Sequence, residues 1–535
     1  MSVSSDSSRS DRLRYLSTWQ TGAGIVLLGG LGLLMVQAGL FFPTGKPSRD
    51  ILWILGITEL AFYLWVRVFS QMKFSRQIVT LVLFVSVQAC LYGIFRLDGF
   101  TGDGRLILAW RWTPTPEQLF DGERSLRRLH SGPNNDAVDL TQTTDWDYPA
   151  FRGAHRDGIA ATVSFATDWD QTPPKQLWKQ AIGRGWSSFA AVGEYCVTQE
   201  QRRADEVVVC YEVGTGREVW VHADRARFDE PTGGCGPRAT PTIHDGRVYA
   251  LGATGILNCL SGADGEVVWS VNILDDAGVD NRLFGMAGSP LVVESAVVVS
   301  PGGRGSSLAA YDLETGQPAW RGGDAEASYS SPQLARFAIG RRILAFNADG
   351  LFVHDSDTGQ VTCSYPWVSN PAEKNNVCQP VPLPGTETQP DRIFISSGYD
   401  KGSAVFEISS VDGRDSIRKV WGERSLKAKF SSVILHAGYV YGLDGSILTC
   451  IDLETGRRQW KAGRYGYGQL IRVGDNLLIQ SENGDVALVR ASPESHQELV
   501  RFPALEGRTW NHPVVAGRHL LVRNDREAAC YELPP

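Results

Sequence analysis

Several signatures are missing from this 535-residue chain, and each absence removes a class of function. There is no Lys/Arg run, and 59 Asp and Glu against 52 Lys and Arg leave a net charge of −7. This argues against a nucleic-acid-binding surface. No two of the nine cysteines adjoin, and Cys196, Cys235, Cys363 and Cys378 lack the Cys-x-x-Cys spacing of a zinc site. A disulfide would therefore have to be an isolated one, formed in an oxidising compartment. The chain has no Gly-x-Ser-x-Gly, no His-Glu-x-x-His and no Cys/His pair with convergent spacing, which removes the common signatures of nucleophilic and zinc-hydrolytic catalysis. Gly302-Gly303-Arg304-Gly305 opens no helix and so is not a phosphate loop. Methionine is scarce, at four, whereas glycine (57) and tryptophan (16) are plentiful, a composition that suits short strands joined by tight turns.

What is present is a repeat. Ile447-Leu448-Thr449-Cys450-Ile451 reads as a strand buried on both faces. Asp452 opens a turn, Gly456 supplies a positive φ, and a second strand runs to Trp460. Related units end at Trp220, Trp269 and Trp320, with weaker ones over 352–363, 403–421 and 486–499. The closing markers are Trp178, Trp220, Trp269, Trp320, Cys363, Trp421, Trp460 and Leu499, spaced 39 to 58 residues apart. Eight upstream strand pairs start near Ser187, Thr240, Ser289, Ser331, Gln379, Ser432, Gln469 and His512. Four short strands per period of about 40–50 residues is a propeller blade. The fold class is therefore all-β, an eight-bladed propeller preceded by N-terminal transmembrane helices. The last unit stops after its third strand, and the first marker, Trp178, has no three strands before it. Residues 175–180 are thus expected to complete the last blade and close the ring. Cys210, Cys259, Cys450 and Cys530 fall at one position of the buried strand and read as small core hydrophobes.

Ahead of the propeller, residues 1–20 form a polar Ser- and Arg-rich tail. Residues 21–96 hold three apolar segments of bilayer-spanning length, at 21–42, 51–69 and 78–95. Arg9, Arg12, Arg14, Arg67, Lys73 and Arg76 lie on one side of them, and Lys46, Arg49 and Arg96 on the other. That bias predicts a multi-pass inner-membrane protein with its tail in the cytoplasm and everything after Phe95 on the periplasmic side. Residues 97–145 are a connector with a short helix from about Pro116, capped by Thr115, and a flexible spacer at 131–144. Residues 146–535 are the propeller, led in by Trp146, Tyr148, Phe151, Arg152 and Gly153.

In a propeller, the loops approaching each innermost strand share one face with the loops between the second and third strands. Here that face collects Trp186, Arg238, Tyr329, Lys429, Tyr467, Trp510, Asn511 and His512 as candidate partner-binding residues. Aromatic and arginine side chains around a channel mouth form a reasonable recognition surface. The competing assignment is that Trp186, Tyr329, Phe430 and Trp510 plug the channel or pack between blades. His512, just before Pro513, reads as a hydrogen-bonded structural histidine. No residue is assigned as catalytic or as a metal ligand.

The Asp-x-x-Thr-Gly-x-x-x-Trp pattern at Asp312, Thr315, Gly316 and Trp320, and again at Asp452, Thr455, Gly456 and Trp460, resembles the PQQ-type propeller repeat. That repeat is found in quinoprotein dehydrogenases and in BamB-type outer-membrane assembly factors. The connector Trp110-Arg111-Trp112-Thr113-Pro114, the Phe151-Arg152-Gly153 lead-in and Trp510-Asn511-His512-Pro513 are similar to membrane-anchored PQQ-binding-like propellers of planctomycete type. The resemblance implies one of two functions. The first is a non-catalytic scaffold binding a protein or cell-envelope partner, and the second is a PQQ-dependent oxidoreductase. The adjacent cysteines of the quinoprotein enzymes are absent, and His354-Asp355-Ser356-Asp357 lies in a repeat turn and is not a calcium loop. The reading therefore favours a scaffold without a cofactor.

Overall fold

The computed structural model describes residues 57–69, 73–121, 138–160, 165–370 and 374–535. The chain divides into two compact units, residues 1–114 with 231–234, and residues 115–230 with 235–535.

In the first unit, residues 57–64 are helical and continue into a π-helical turn, Trp65–Phe69. Phe62, Trp65 and Val66 are buried against Leu81 and Phe84. The helix Phe74–Ile94 is long and apolar enough to cross a membrane, and is the one such helix among the described residues. Three spans were expected. The first, 21–42, lies outside the described residues, and the second is described only from residue 57, so three crossings are not established. The helix passes without a break into a two-stranded ribbon, Phe95–Phe100 paired with Leu106–Trp110.

The second unit is the propeller. Eight four-stranded antiparallel sheets span 190–224, 242–272, 291–322, 333–366, 381–423, 434–464 and 469–503, with the eighth formed by 514–532 and Lys175–Ala181. They are named here blades 1 to 8 in that order. In blade 8, Lys175 pairs with Glu532 and Trp178 with Cys530, so the first strand of the unit seals the last sheet as expected. No single core exists. Each of eight apolar clusters is built from two neighbouring blades, the first combining blades 7 and 8 and the second blades 8 and 1.

The repeat motif explains this stacking. Asp312 Oδ1 accepts hydrogen bonds from the backbone N–H and hydroxyl of Thr315, at 2.8 and 2.7 Å, and Asp452 treats Thr455 identically. The turn then places Gly316 and Gly456 at φ 69°. A Cβ on Gly316 would lie 2.6 Å from the Trp269 ring, and one on Gly456 2.6 Å from the Trp421 ring. Each tryptophan thus lies flat on the turn glycine of the next blade, and its indole N–H donates into the same turn: Trp269 to Leu313 O and Trp421 to Leu453 O, both 2.9 Å. Across the closure, Trp178 stacks on Gly216 and donates to Val213 O. The cysteines expected to be core hydrophobes are buried free thiols facing these tryptophans, as in the Cys210–Trp220 and Cys450–Trp460 pairs. In blade 7 the position equivalent to the tryptophan is Val500 rather than the expected Leu499. Leu488 pairs with Val500 and Val489 with Glu498, which leaves Leu499 in the bulge.

Around the axis, the start of one blade donates to the next. Ser188 N–H reaches Thr240 Oγ1, Thr240 N–H reaches Ser289 Oγ, and Ser289 N–H reaches Ser331 Oγ, at 2.9–3.1 Å. The lead-in segment runs across these innermost strands. Tyr148 bridges to Ala191 in blade 1, and Pro149 O accepts from Ile243 N–H in blade 2. Arg156 donates to Ser289 O and Pro290 O ahead of blade 3, Arg152 to Val433 O ahead of blade 6, and Gly158 O accepts from Arg472 N–H in blade 7. Both arginines are buried. They answer carbonyls that the innermost strands cannot pair across the channel.

The seam between blades 8 and 1 carries a buried ionic network. Arg523, fully buried, donates to Thr198 Oγ1, Gln199 O and Gly183 O. Glu200 accepts from Arg202 and Tyr211, while Asp525 lies 3.3 Å from Arg508 and 3.4 Å from Arg184. Burial raises the pKa of both carboxyls, but the guanidiniums around them outweigh it and hold Glu200 and Asp525 below the usual carboxylate range. A carboxylate whose folded-state pKa is depressed adds stability above its unfolded pKa, near 4, and loses it as pH falls through the folded value. Two outcomes are expected. Asp525→Asn should cost about 3 kcal/mol at neutral pH, because it strands buried cations, with the gap to wild type narrowing in urea melts below about pH 4. Trp178→Ala should lower stability by about 3 kcal/mol or more in the same assay. Val411→Ser, at an exposed position of blade 5, should leave it unchanged.

Candidate functional site

The eight sequence-predicted residues do not form one site. Four of them, Trp186, Lys429, Tyr467 and Trp510, belong to a continuous aromatic patch across blades 5, 6, 7, 8 and 1. Trp186 and Trp510, from the loops approaching blades 1 and 8, have ring centroids 4.8 Å apart. Phe430, approaching blade 6, meets Trp510 edge-on at 5.0 Å and stacks on Tyr467 at 5.1 Å. Lys429 Nζ lies 5.0 Å from the Tyr467 ring centroid, 5.8 Å from that of Phe430 and 5.4 Å from that of Tyr399. The Arg508 guanidinium lies 4.8 and 4.5 Å from the ring centroids of Trp186 and Trp510. Cations over aromatic faces at these distances are attracted by the ring quadrupole.

Polar groups beneath hold the rings in place. Glu482 accepts from the Trp510 indole N–H at 2.9 Å and from Tyr467 N–H at 3.1 Å. Gln469 Nε2 donates to the carbonyls of Phe430 and Trp510, both at 3.0 Å. Arg508 is tied to the closure seam through Asp525, and burial is the main cause of its lowered pKa. The patch is thus fastened to the ring closure. Trp510, Tyr467, Phe430 and Lys429 are half-buried, Tyr399 is exposed and Trp186 is nearly covered.

Arg238 and Tyr329 lie elsewhere on the loops. Arg238 sits 4.8 Å from the Phe228 ring centroid, and burial pushes its pKa down to about 10. Tyr329 is buried against Phe284, with centroids 5.5 Å apart, and its N–H donates to Asn376 O. Asn511 and His512 are interior. Asn511 Nδ2 donates to Ser187 O at 2.8 Å, joining blade 8 to blade 1. His512 meets Phe151 edge-on at 4.9 Å, and burial, followed by the Arg152 charge, holds it well below its usual pKa as a neutral imidazole. Two members of the patch, Arg508 and Tyr399, escaped the sequence reading. Arg508 is two residues from Trp510, a spacing that points both side chains to one face of an extended loop. Tyr399 lies in the second-to-third-strand loop of blade 5, at φ 55°, and no local pattern singles it out.

No group of three or more His, Cys, Asp and Glu among the described residues is arranged to hold a metal ion.

Comparison with known proteins places the fold. The profile described as outer membrane protein assembly factor BamB matches residues 167–283 and 204–462. A quinohemoprotein alcohol dehydrogenase, ADH-IIG of Pseudomonas putida, is 32% identical over 123 residues, which cover 22% of this chain and only 16% of that protein. The quinohemoprotein alcohol dehydrogenase of Comamonas testosteroni superposes with a TM-score of 0.55 at 13% identity, covering 74% of this chain and 82% of that one. BamB of Moraxella catarrhalis superposes at 0.47 and 14% identity, over 67% of this chain and 98% of its own. With the profile spanning more than half of its length, this chain belongs to the BamB-type family of PQQ-like β-propellers.

Proposed function

We propose that the protein is a membrane-anchored, extracytoplasmic scaffold whose propeller binds a protein or cell-envelope partner without catalysis. The observation that carries this reading is the aromatic patch built by Trp186, Phe430, Tyr467 and Trp510, with Lys429 and Arg508 set against the rings. Aromatic and arginine anchors on a rigid frame are the composition of binding hot spots. The patch is held by interior hydrogen bonds, so little freedom is lost when a partner docks. Anchoring is supported by the apolar helix Phe74–Ile94, and the positive residues Arg67, Lys73 and Arg76 ahead of its midpoint are consistent with a propeller outside the cytoplasm. BamB membership is consistent with an envelope role.

A second reading, a PQQ-dependent oxidoreductase, is favoured by the local match to the quinohemoprotein dehydrogenase. The two readings separate experimentally. With a photo-crosslinking residue at Tyr467 in the full chain, membranes should yield one discrete crosslinked partner. Trp510→Ala should weaken the interaction about thirtyfold, the effect of losing an anchor worth about 2 kcal/mol, and its capture should fall accordingly. Dye reduction on adding PQQ and Ca²⁺ to the purified protein, with no crosslinked partner, would replace the scaffold reading with the enzymatic one.

A further inference from the structure

The ribbon after the apolar helix leaves one face uncovered. Phe95 pairs directly with Trp110 and Leu97 with Leu108, so with the period of two these four side chains share a face. Phe95 stacks on Trp110 at 4.5 Å, and Trp110 on Trp112 at 5.1 Å. Leu97 is 51%, Leu108 57%, Trp110 48% and Trp112 70% exposed. The opposite face carries Arg96 and Asp98, 3.5 Å apart. A two-stranded ribbon that leaves an apolar, aromatic face bare gains nothing in water by that arrangement.

Its position says what covers it. The 21 residues of Phe74–Ile94 rise about 30 Å, the thickness of a bilayer's hydrocarbon core. The strand begins at the next residue, Phe95. The junction is pinned: Arg111 N–H donates to Ile94 O at 2.9 Å, and the Arg111 guanidinium donates to Tyr92 O. The ribbon therefore cannot swing away from the helix end, and Tyr92, Phe95, Trp110 and Trp112 gather at the level where a crossing helix leaves the hydrocarbon. Tryptophan and tyrosine favour that boundary because their rings are apolar with a polar edge.

We propose that the ribbon Phe95–Trp110, with Trp112, is a lipid-interface anchor, its Leu97, Leu108 and Trp110 face inserted at the headgroup–acyl boundary of the bilayer that Phe74–Ile94 crosses. This rests on the membrane-anchoring reading above, and the test separates the two. The full chain carrying Cys90→Ala, which removes an exposed thiol, receives a single new cysteine by Leu108→Cys or, in a second variant, by Val85→Cys at mid-helix. Each is labelled with the fluorophore NBD and placed in phosphatidylcholine–phosphatidylglycerol vesicles bearing a doxyl quencher either near the headgroup or deep in the acyl chain. The parent without a new cysteine gives the background from Cys363. The label at 108 should be quenched about twofold more by the shallow than by the deep doxyl, and the label at 85 the reverse. If the label at 85 is deep while that at 108 is unquenched and open to aqueous iodide, the ribbon is not an interface anchor, although the helix crosses. If neither label is quenched, the membrane reading fails and the anchor with it.

Discussion

Blades 1, 2, 3, 4 and 6 of this propeller each depend on a tryptophan of the preceding blade lying on a turn glycine that no other residue could replace. At Gly216, Gly265, Gly316, Gly359 and Gly456, φ is positive and a side chain would run into an indole ring. The contact does two things together: it buries a large apolar surface between sheets, and at Trp178, Trp220, Trp269 and Trp421 it answers a turn carbonyl with the indole N–H. No blade encloses a core of its own, so the sheets are stable only as neighbours, and the free energy of the fold sits in the interfaces between them. The Asp–Thr hydrogen bonds of the repeat hold the glycine where the ring arrives.

A ring of such interfaces must still be joined where its ends meet, and that join differs from the others. Blades 8 and 1 are linked by Trp178 on Gly216, as elsewhere, but also by Arg523, Glu200, Arg202, Asp525 and Arg508 in a desolvated network. Buried ion pairs contribute little net stability over apolar packing, yet they reward one register and penalise others. The aromatic patch is built on this join through Arg508 and Trp186, so the proposed binding face inherits the rigidity of the closure.

The sequence was most legible where a single residue type answers a single steric demand. Turn glycines, stacked tryptophans and the displaced first strand all leave local patterns, and the blade count and the closure follow from them. One marker slipped by a residue, Leu499 for Val500, because without a tryptophan nothing in the local pattern locates the bulge. The face of the propeller was harder. Loop position alone grouped Asn511 and His512 with Trp510, but Asn511 turns inward to join blades 8 and 1, and His512 packs edge-on against Phe151 of the lead-in segment. Nothing in the local sequence marks Arg152 and Arg156 as buried. Their role exists only because residues far apart in the chain present unpaired carbonyls around one axis.

The displaced strand also governs how the molecule can be made. Lys175–Ala181 leaves the ribosome first among the propeller strands, yet its partner, residues 527–532, is translated about 350 residues later. At about 5–20 residues per second, the nascent chain holds that strand's hydrogen-bonding edge open for roughly 20–70 s. Over that interval seven blades can assemble while the eighth cannot, and the open edge offers itself to any other extended segment. Lys175 and Lys179, charged and spaced along the waiting strand, give it some protection against such mispairing until translation is complete.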